Sequence, residues 1–356
     1  MPKYTVKLIA DRYSMEDSSR LYLSPQAEQE RHICLQKIIS GQYLPIDCNC
    51  PICNGDELEI LAQRDRYNFP IKTAICKKCG LIQSSPIFRT CDYEDFYTNH
   101  YRKLYISELV GNPEDFFTEE RWRGQRITNY ILRHVNIPLD SLILEVGCGS
   151  GGILSVFSER GFRVIGTDFG VDNLEFGRTK GLEIHTGSIH MLRLQELPSL
   201  IIYSHVLEHI CDLDQELRKA YEMLTVDGYL YIEVPGVKDV RWNSFQGNFI
   251  RMFHFAHIYN FTLSTLSNLL SKYGFDLVSG DETVRTIFRK KAFFSDYENT
   301  IKYIKKTEKN RRLYGLLSRT RIKLRGIFNW VRATSINLLK TIKLYDFVKR
   351  FLTRNS

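Results

Sequence analysis

Short apolar runs alternate with amphipathic segments through the middle of the chain. Leu142–Val146 (LILEV) is an apolar run of strand length, and FRVIGTD, EIHTGSI, Leu200–Ser204, GYLYIEV, FDLVSG and VRTIFRK follow it in order. Between them, three segments read as helices: Val171–Thr179 before Gly181, a stretch opened by Cys211 and Asp212 that runs to Leu224, and Ser264–Lys272. A further helix is expected over Glu119–Asn136, with Trp122, Ile127, Tyr130, Ile131 and Leu132 turned to the core. Strands and helices in alternation predict an α/β fold with a doubly wound, seven-stranded, mostly parallel sheet that takes ligands at the carboxyl ends of its strands.

The flanks differ. Ser24 can cap a helix that starts at Pro25, with Glu28 and Glu30 favouring its dipole, an apolar face of Ile33, Leu35, Ile38 and Ile39, and Gly41 at its end. Residues 1–46 thus read as a packing arm. Residues 91–136 form an aromatic-rich connector, in which Tyr97 and Tyr101 either seal an interface or form part of a lid. Core residues 137–295 are followed by a basic amphipathic tail, 296–356.

Charge sharpens that division. The 356 residues carry a net +8. From Ile301 on there are sixteen Lys and Arg against Glu308 and Asp346, so the other 300 residues carry a net −6. A basic helical stripe with Trp330 and several phenylalanines suits an anionic membrane surface, a partner chain or the chain's own body. Nucleic acid is the poorer partner, because the folded body is acidic. No run approaches the length of a membrane span and the N-terminus is no secretory signal, so the expected location is cytoplasmic, with peripheral contact at the inner membrane face.

Cysteine usage adds a metal. Cys50-x2-Cys53 and Cys76-x2-Cys79 each sit on a turn, with Pro51 inside one and Gly80 just after the other. Two such pairs can hold one zinc tetrahedrally, so residues 47–90 are expected to be a zinc-binding module with a structural site. Cys48 competes with the first pair but has the poorer spacing.

The stretch LILEVGCGSGGIL carries the chemistry. Gly147, Gly149, Gly151 and Gly152 follow the strand where the chain must turn sharply and admit a ligand. Glu145 precedes the first glycine by two residues; a carboxylate there repels a pyrophosphate and welcomes an ammonium group. Asp168, at the end of the next strand, can accept both hydroxyls of a ribose.

These features resemble class I S-adenosylmethionine (SAM)-dependent methyltransferases over residues 120–292, on LEVGCGSGG, VIGTD, HVLEHI and YIEVPG together. The resemblance implies a SAM site formed by Glu145, Gly147, Cys148, Gly149, Gly151, Asp168, Phe169, Ser188, Ile189, His205 and Val206, with Arg126 near the SAM carboxylate. It places His209, and His257 of RMFHFAHIYNFT, at the acceptor as candidate bases. With four cysteines ahead of such a core, the layout resembles the zinc-containing sugar methyltransferases, which implies a small-molecule or glycan acceptor. Their carbon-methylating members carry Glu-His where this chain has Ala256-His257, so hydroxyl methylation stands beside carbon methylation. An alternative ligand set of Glu233, His257 and Glu208 could hold Mg²⁺, as in ubiquinone-pathway O-methyltransferases. Two other classes stay open: an RNA or protein methyltransferase, and a non-catalytic SAM-binding scaffold.

Overall fold

The computed structural model describes residues 1–15, 23–105, 112–242, 245–291, 305–306 and 308–309. Residues Met1–Ala292 form one compact unit and Phe293–Ser356 another. The basic tail falls almost wholly outside the described residues.

The N-terminal third is built on a five-stranded sheet. In chain order come β1 (Lys3–Val6), α1 (Pro25–Ile39), β2 (Pro45–Ile46), β3 (Glu57–Ala62), β4 (Thr73–Cys76), β5 (Ile82–Ser84), β6 (Ile87–Phe88), α2 (Thr90–Asn99), α3 (Tyr101–Tyr105) and α4 (Pro113–His134). The rest of the chain supplies β7 (Leu142–Val146), α5 (Gly152–Ser158), β8 (Arg163–Asp168), α6 (Val171–Thr179), β9 (Glu183–Thr186), β10 (Leu200–Ser204), α7 (Leu213–Met223), β11 (Tyr229–Glu233), α8 (Phe249–Met252), β12 (Tyr259–Asn260), α9 (Leu263–Lys272), β13 (Phe275–Gly280) and β14 (Arg285–Lys290).

The expected seven-stranded sheet is present, in the order β13-β14-β11-β10-β7-β8-β9, with β14 antiparallel to both its neighbours. Successive residues of each strand serve opposite faces. On β7, Ile143 packs with Ile127, Ile131 and Phe157, whereas Leu144 joins Ile201, Tyr203 and Leu230 on the other side. The chain reverses its winding between β7 and its two neighbours, β10 and β8, which opens a crevice at their carboxyl ends.

Three expectations need correction. Helix α4 begins at Pro113 behind the Asn112 cap, six residues before the expected start. Its buried face is Phe117, Glu120, Gly124, Ile127, Thr128 and Ile131; Trp122 lies about half a turn from that face and is 70% exposed. Helix α1 has the Ser24 cap, with Oγ accepting from Ala27 N, but it buries Ala27, Glu30, Arg31 and Cys34, leaving Ile33 and Ile39 exposed. Residues 1–46 are more than an arm, because β1 pairs in parallel with β3 and extends the module's sheet.

The two sheets are tied together through the segment after α8. Its short β12 pairs with β5 of the module. Just before it, buried Phe255 packs on Phe88, Tyr93 and Phe96 at ring-centroid distances of 5.2, 5.1 and 4.7 Å. Removing such a ring leaves a cavity that rigid neighbours cannot fill. Phe255→Ala is expected to lower the unfolding free energy by about 3–5 kcal/mol, read from the shift in denaturant midpoint at constant slope.

Candidate functional site

The glycine turn after β7 has the backbone its sequence requires. Gly147 and Gly149 lie at φ +70° and +54°; a Cβ on the first would sit 2.4 Å from Val206 and on the second 2.4 Å from Glu120. The turn is therefore pressed against HVLEHI from β10, its neighbour across the crevice. His205 in that motif is itself left-handed at φ +57° and donates its amide to Glu233 O at 2.8 Å. Strained non-glycine backbone of this kind is held only where the surroundings over-determine it.

Two carboxylates hold the turn. Asp168 Oδ2 accepts from Gly149 N at 2.9 Å and its Oδ1 from Gly170 N at 2.8 Å. Glu120, from α4, accepts through Oε2 from Ser150 N (3.2 Å), Ser150 Oγ (2.7 Å) and Gly152 N (3.3 Å). The N-terminus of α5 is thus already occupied by an anion from this chain, which leaves no place for a pyrophosphate. Glu145 is 1% exposed, with Oε2 unpartnered, and burial followed by the charge of Glu120 pushes its carboxyl well above the ordinary range. Burial likewise raises Glu120 to about 7. Three acids around one turn, two of them pushed towards their neutral forms by burial, make a pocket in which a bound cation would favour ionisation.

The other residues expected at this pocket divide by what they can offer. Phe169 is 59% exposed beside Asp168, and Gly187 N donates to Asp168 O at 2.8 Å, bringing Ser188 to the same edge. Cys148 and Ile189 are fully buried, with their side chains in the hydrophobic core, so only their backbones remain for a ligand. Arg126 instead pairs with Glu233, Nη2 to Oε1 at 2.6 Å.

A second group of side chains faces the same crevice from β10 and from the segment after α8. His209 Nδ1 lies 2.7 Å from Ala256 O and 2.8 Å from Tyr97 OH. A carbonyl can only accept, so Nδ1 carries the proton and Nε2 the lone pair. His257 and His254 are buried with ring centroids 3.6 Å apart, and His254 Nδ1 meets Tyr105 OH at 3.0 Å. Burial, then the neighbouring imidazoles, holds both well below the usual histidine pKa, so both are neutral. Glu208 sits among three rings, its Oε1 3.6 Å from His205 Nδ1, 3.8 Å from His209 Nε2 and 3.9 Å from His257 Nε2, with neither oxygen hydrogen-bonded. Glu233, also expected in a metal set, is committed to Arg126 and to Tyr231 OH at 2.8 Å.

The N-terminal module supports this group. Buried Asp65 accepts from Tyr67 N and Phe69 N, both at 2.9 Å, and from Phe255 N at 3.0 Å. Arg66 lies 4.8 Å from the Tyr105 ring centroid and donates to Arg251 O at 3.2 Å. Glu120, Asp65 and Arg66 escaped the sequence reading, because the contacts that tie them to the site, to the glycine turn, to Phe255 and to Tyr105, are made across the chain.

The four cysteines converge. Cys50 and Cys79 Sγ are 3.3 Å apart, Cys53 and Cys76 3.5 Å, and one ligand atom from each lies within 4.8 Å of the others. Each pair closes a knuckle, through Asn54 N to Cys50 O and Gly80 N to Cys76 O, both at 2.9 Å. Cys48 stands outside, 3.7 Å from Gln83 Nε2. Burial drives the Cys79 thiol up to about 11, whereas at Cys53, closer to solvent, burial is outweighed by hydrogen bonds from Gly55 N and the neighbouring thiols, which shift it down.

Comparison with known proteins agrees with this geometry. Residues 119–280 match the family model described as "Methyltransferase domain". The chain is 23% identical over 221 residues to the C-methyltransferase NovU of Streptomyces niveus, covering 59% of this chain and 47% of that protein. It is 28% identical over 103 residues to a ubiquinone biosynthesis O-methyltransferase of Chelativorans sp., covering 27% of this chain and 41% of the relative. The chain spans about half the length of the curated relatives it matches. Among solved structures, human N-acetylserotonin methyltransferase in complex with SAM superposes with a TM-score of 0.43 at 17% identity, covering 56% of this chain and 62% of that one. With the glycine turn, the carboxylates and the seven-stranded sheet already placed, residues 119–280 are a class I SAM-dependent methyltransferase domain.

Proposed function

We propose that this protein transfers a methyl group from SAM to a hydroxyl or carbon of a sugar, nucleotide-linked or part of a glycan. The observation that carries the proposal is the crevice between β7 and β10, which sets a three-carboxylate pocket beside a histidine with a free Nε2. The sugar rests on the likeness to zinc-containing sugar methyltransferases, and the NovU match bears only on methyl transfer to carbon. SAM supplies an electrophilic methyl on a cationic sulfur.

Within this reading Asp168 binds the ribose, and Glu145 and Glu120 favour the cationic end. His209 is the base. Its Nδ1 is fixed by Ala256 O and Tyr97, and its side chain is 14% exposed, so Nε2 can take the acceptor's proton as the bond to the methyl forms. His257, more deeply placed, orients the acceptor. Tyr97, held far above its ordinary pKa by burial, stays a phenol and donates to Ala256 O at 3.1 Å. We further propose that Cys50, Cys53, Cys76 and Cys79 bind one structural zinc.

A second reading has its own observation: the unpaired Glu208 carboxylate, with His209 and His257, offers a divalent cation site at the acceptor. Here the metal's charge would lower the pKa of a bound acceptor hydroxyl, whose proton would leave to solvent.

Three outcomes test these readings. Calorimetry should show micromolar binding of S-adenosylhomocysteine, and Asp168→Ala should weaken it by about 10–100-fold, since charge-assisted hydrogen bonds are lost; binding of NAD in its place would refute the pocket. Elemental analysis should give about one zinc per chain that is lost in Cys76→Ser, whereas zinc-free protein of undiminished stability would remove the module's metal. With labelled SAM and a panel of nucleotide sugars, His209→Ala should lower turnover by about 10²–10⁴-fold with cofactor affinity nearly kept. Restoration of chelated enzyme by Mg²⁺ or Mn²⁺ would select the metal reading.

A further inference from the structure

We propose that Glu30, Cys34 and His100 form a second transition-metal site, separate from the four cysteines and from the histidine cluster at the crevice. None of the three side chains has a part in the chemistry above, although His100 caps the helix that carries Tyr97. Glu30 and Cys34 are four residues apart on α1, so both project from the same face of the helix. His100 terminates α2. All three are buried, at 8%, 1% and 7% exposure, and one ligand atom from each lies within 4.8 Å of the other two.

The surroundings leave the cluster short of positive charge. A buried carboxylate needs a cationic partner or it loses its charge. The two cations nearest in sequence are used elsewhere: Arg31 pairs with Glu28 at 2.8 Å, and Lys37 pairs with Asp95. Glu30 Oε1 is hydrogen-bonded directly to His100 Nδ1, and a metal would take the place of that contact. The far ring nitrogen, Nε2, has no hydrogen bond and stands 3.5 Å from Asp95 Oδ2. Asp95 is itself held by Tyr43 OH at 2.6 Å and Asn99 Nδ2 at 2.9 Å. A carboxylate fixed behind a histidine, with the other ring nitrogen turned to a carboxylate and a thiol, is the arrangement that orients metal-binding imidazoles.

The donor set is one oxygen, one sulfur and one nitrogen. That mixture selects zinc, cobalt or ferrous iron over magnesium or calcium, and three protein ligands leave a fourth position for water. On binding, the metal takes the place of the Cys34 thiol proton, which leaves to solvent, with no change of oxidation state. The ion would join α1 to α2, and α2 carries Tyr97, so the N-terminal helix would be clipped to the element that fixes His209.

The test uses the full chain, freed of metal under reducing conditions, loaded with excess Co²⁺ and desalted. Wild-type protein is expected to retain two Co²⁺, or three if the Glu208 site also fills, and Cys34→Ser one fewer, with the intense tetrathiolate charge-transfer band unchanged. Cys53→Ser should lose that band and keep the weaker single-thiolate spectrum. Glu30→Gln, which preserves side-chain shape, should weaken the second Co²⁺ by at least about tenfold and guards against misfolding of the cysteine variant. If the four-cysteine reading alone fails, Cys34→Ser still holds one Co²⁺ fewer than the wild type, which supports the proposal. Wild-type protein whose Co²⁺ content Cys34→Ser and Glu30→Gln both leave intact, or with none, overturns it.

Discussion

The hydrogen bonds that Asp168 and Glu120 accept from the glycine turn are the constraint on which the rest of the site depends. A turn with three glycines at positive φ has many alternative conformations, and its amides need acceptors once buried. Asp168 takes one amide from the turn and one from its own loop, locking β7 to β8 at their carboxyl ends. Glu120 takes three donors and fixes α4 against α5. Both acids sit in a pocket that also holds Glu145, so the clamp has an electrostatic cost when no cation is present. The arrangement that shapes the turn is therefore the one that selects a cationic ligand.

The histidine side is held differently, with support from Tyr97, Tyr105 and Asp65, which lie outside residues 119–280. Residues 253–257 have little regular structure, and two of their backbone groups are satisfied from the module: Asp65 accepts from Phe255 N, and Arg66 N donates to Phe253 O at 2.9 Å. Burial pushes Asp65 up to about 7, yet three backbone donors keep its carboxylate useful as an anchor. The strand pairing β5–β12 continues the same attachment. The cysteine knuckles, at the ends of β4 and in the loop before β3, stabilise the sheet that carries Asp65. A metal at those cysteines would act on the histidines only through that sheet.

The sequence showed the doubly wound core well because its signals are local. Apolar runs such as LILEV, the glycine spacing and Asp168 at the end of FRVIGTD each announce themselves within about ten residues. The cysteine pairs were legible for the same reason, and the structure brings their sulfurs together while leaving Cys48 aside. What escaped was long-range. Glu120 reaches a turn 30 residues on, and Asp65 reaches an amide 190 residues on. Helix α1 misled because its apolar residues were taken as its buried face, whereas Glu30, Arg31 and Cys34 turn inward to polar partners. Trp122 misled likewise: size suggested burial, but helical phase set it outward.

The two halves of the crevice also differ in how they handle charge, and that difference bears on the direction of the reaction. The turn side holds three acids, of which Glu120 and Glu145 are pushed up first by burial, and a bound cation would favour their ionised forms. The histidine side is neutral: burial keeps His254 and His257 uncharged, and burial keeps Tyr97, Tyr101 and Tyr105 as phenols. In the proposed reaction, methyl transfer from a sulfonium would remove a positive charge on the turn side, and a proton taken from an acceptor would create one on the histidine side. Glu208, unpaired and within 4 Å of three imidazoles, lies where that new charge would form. A fixed carboxylate beside a base that becomes cationic only during the reaction stabilises the later state more than the earlier one, which is the condition for lowering a barrier.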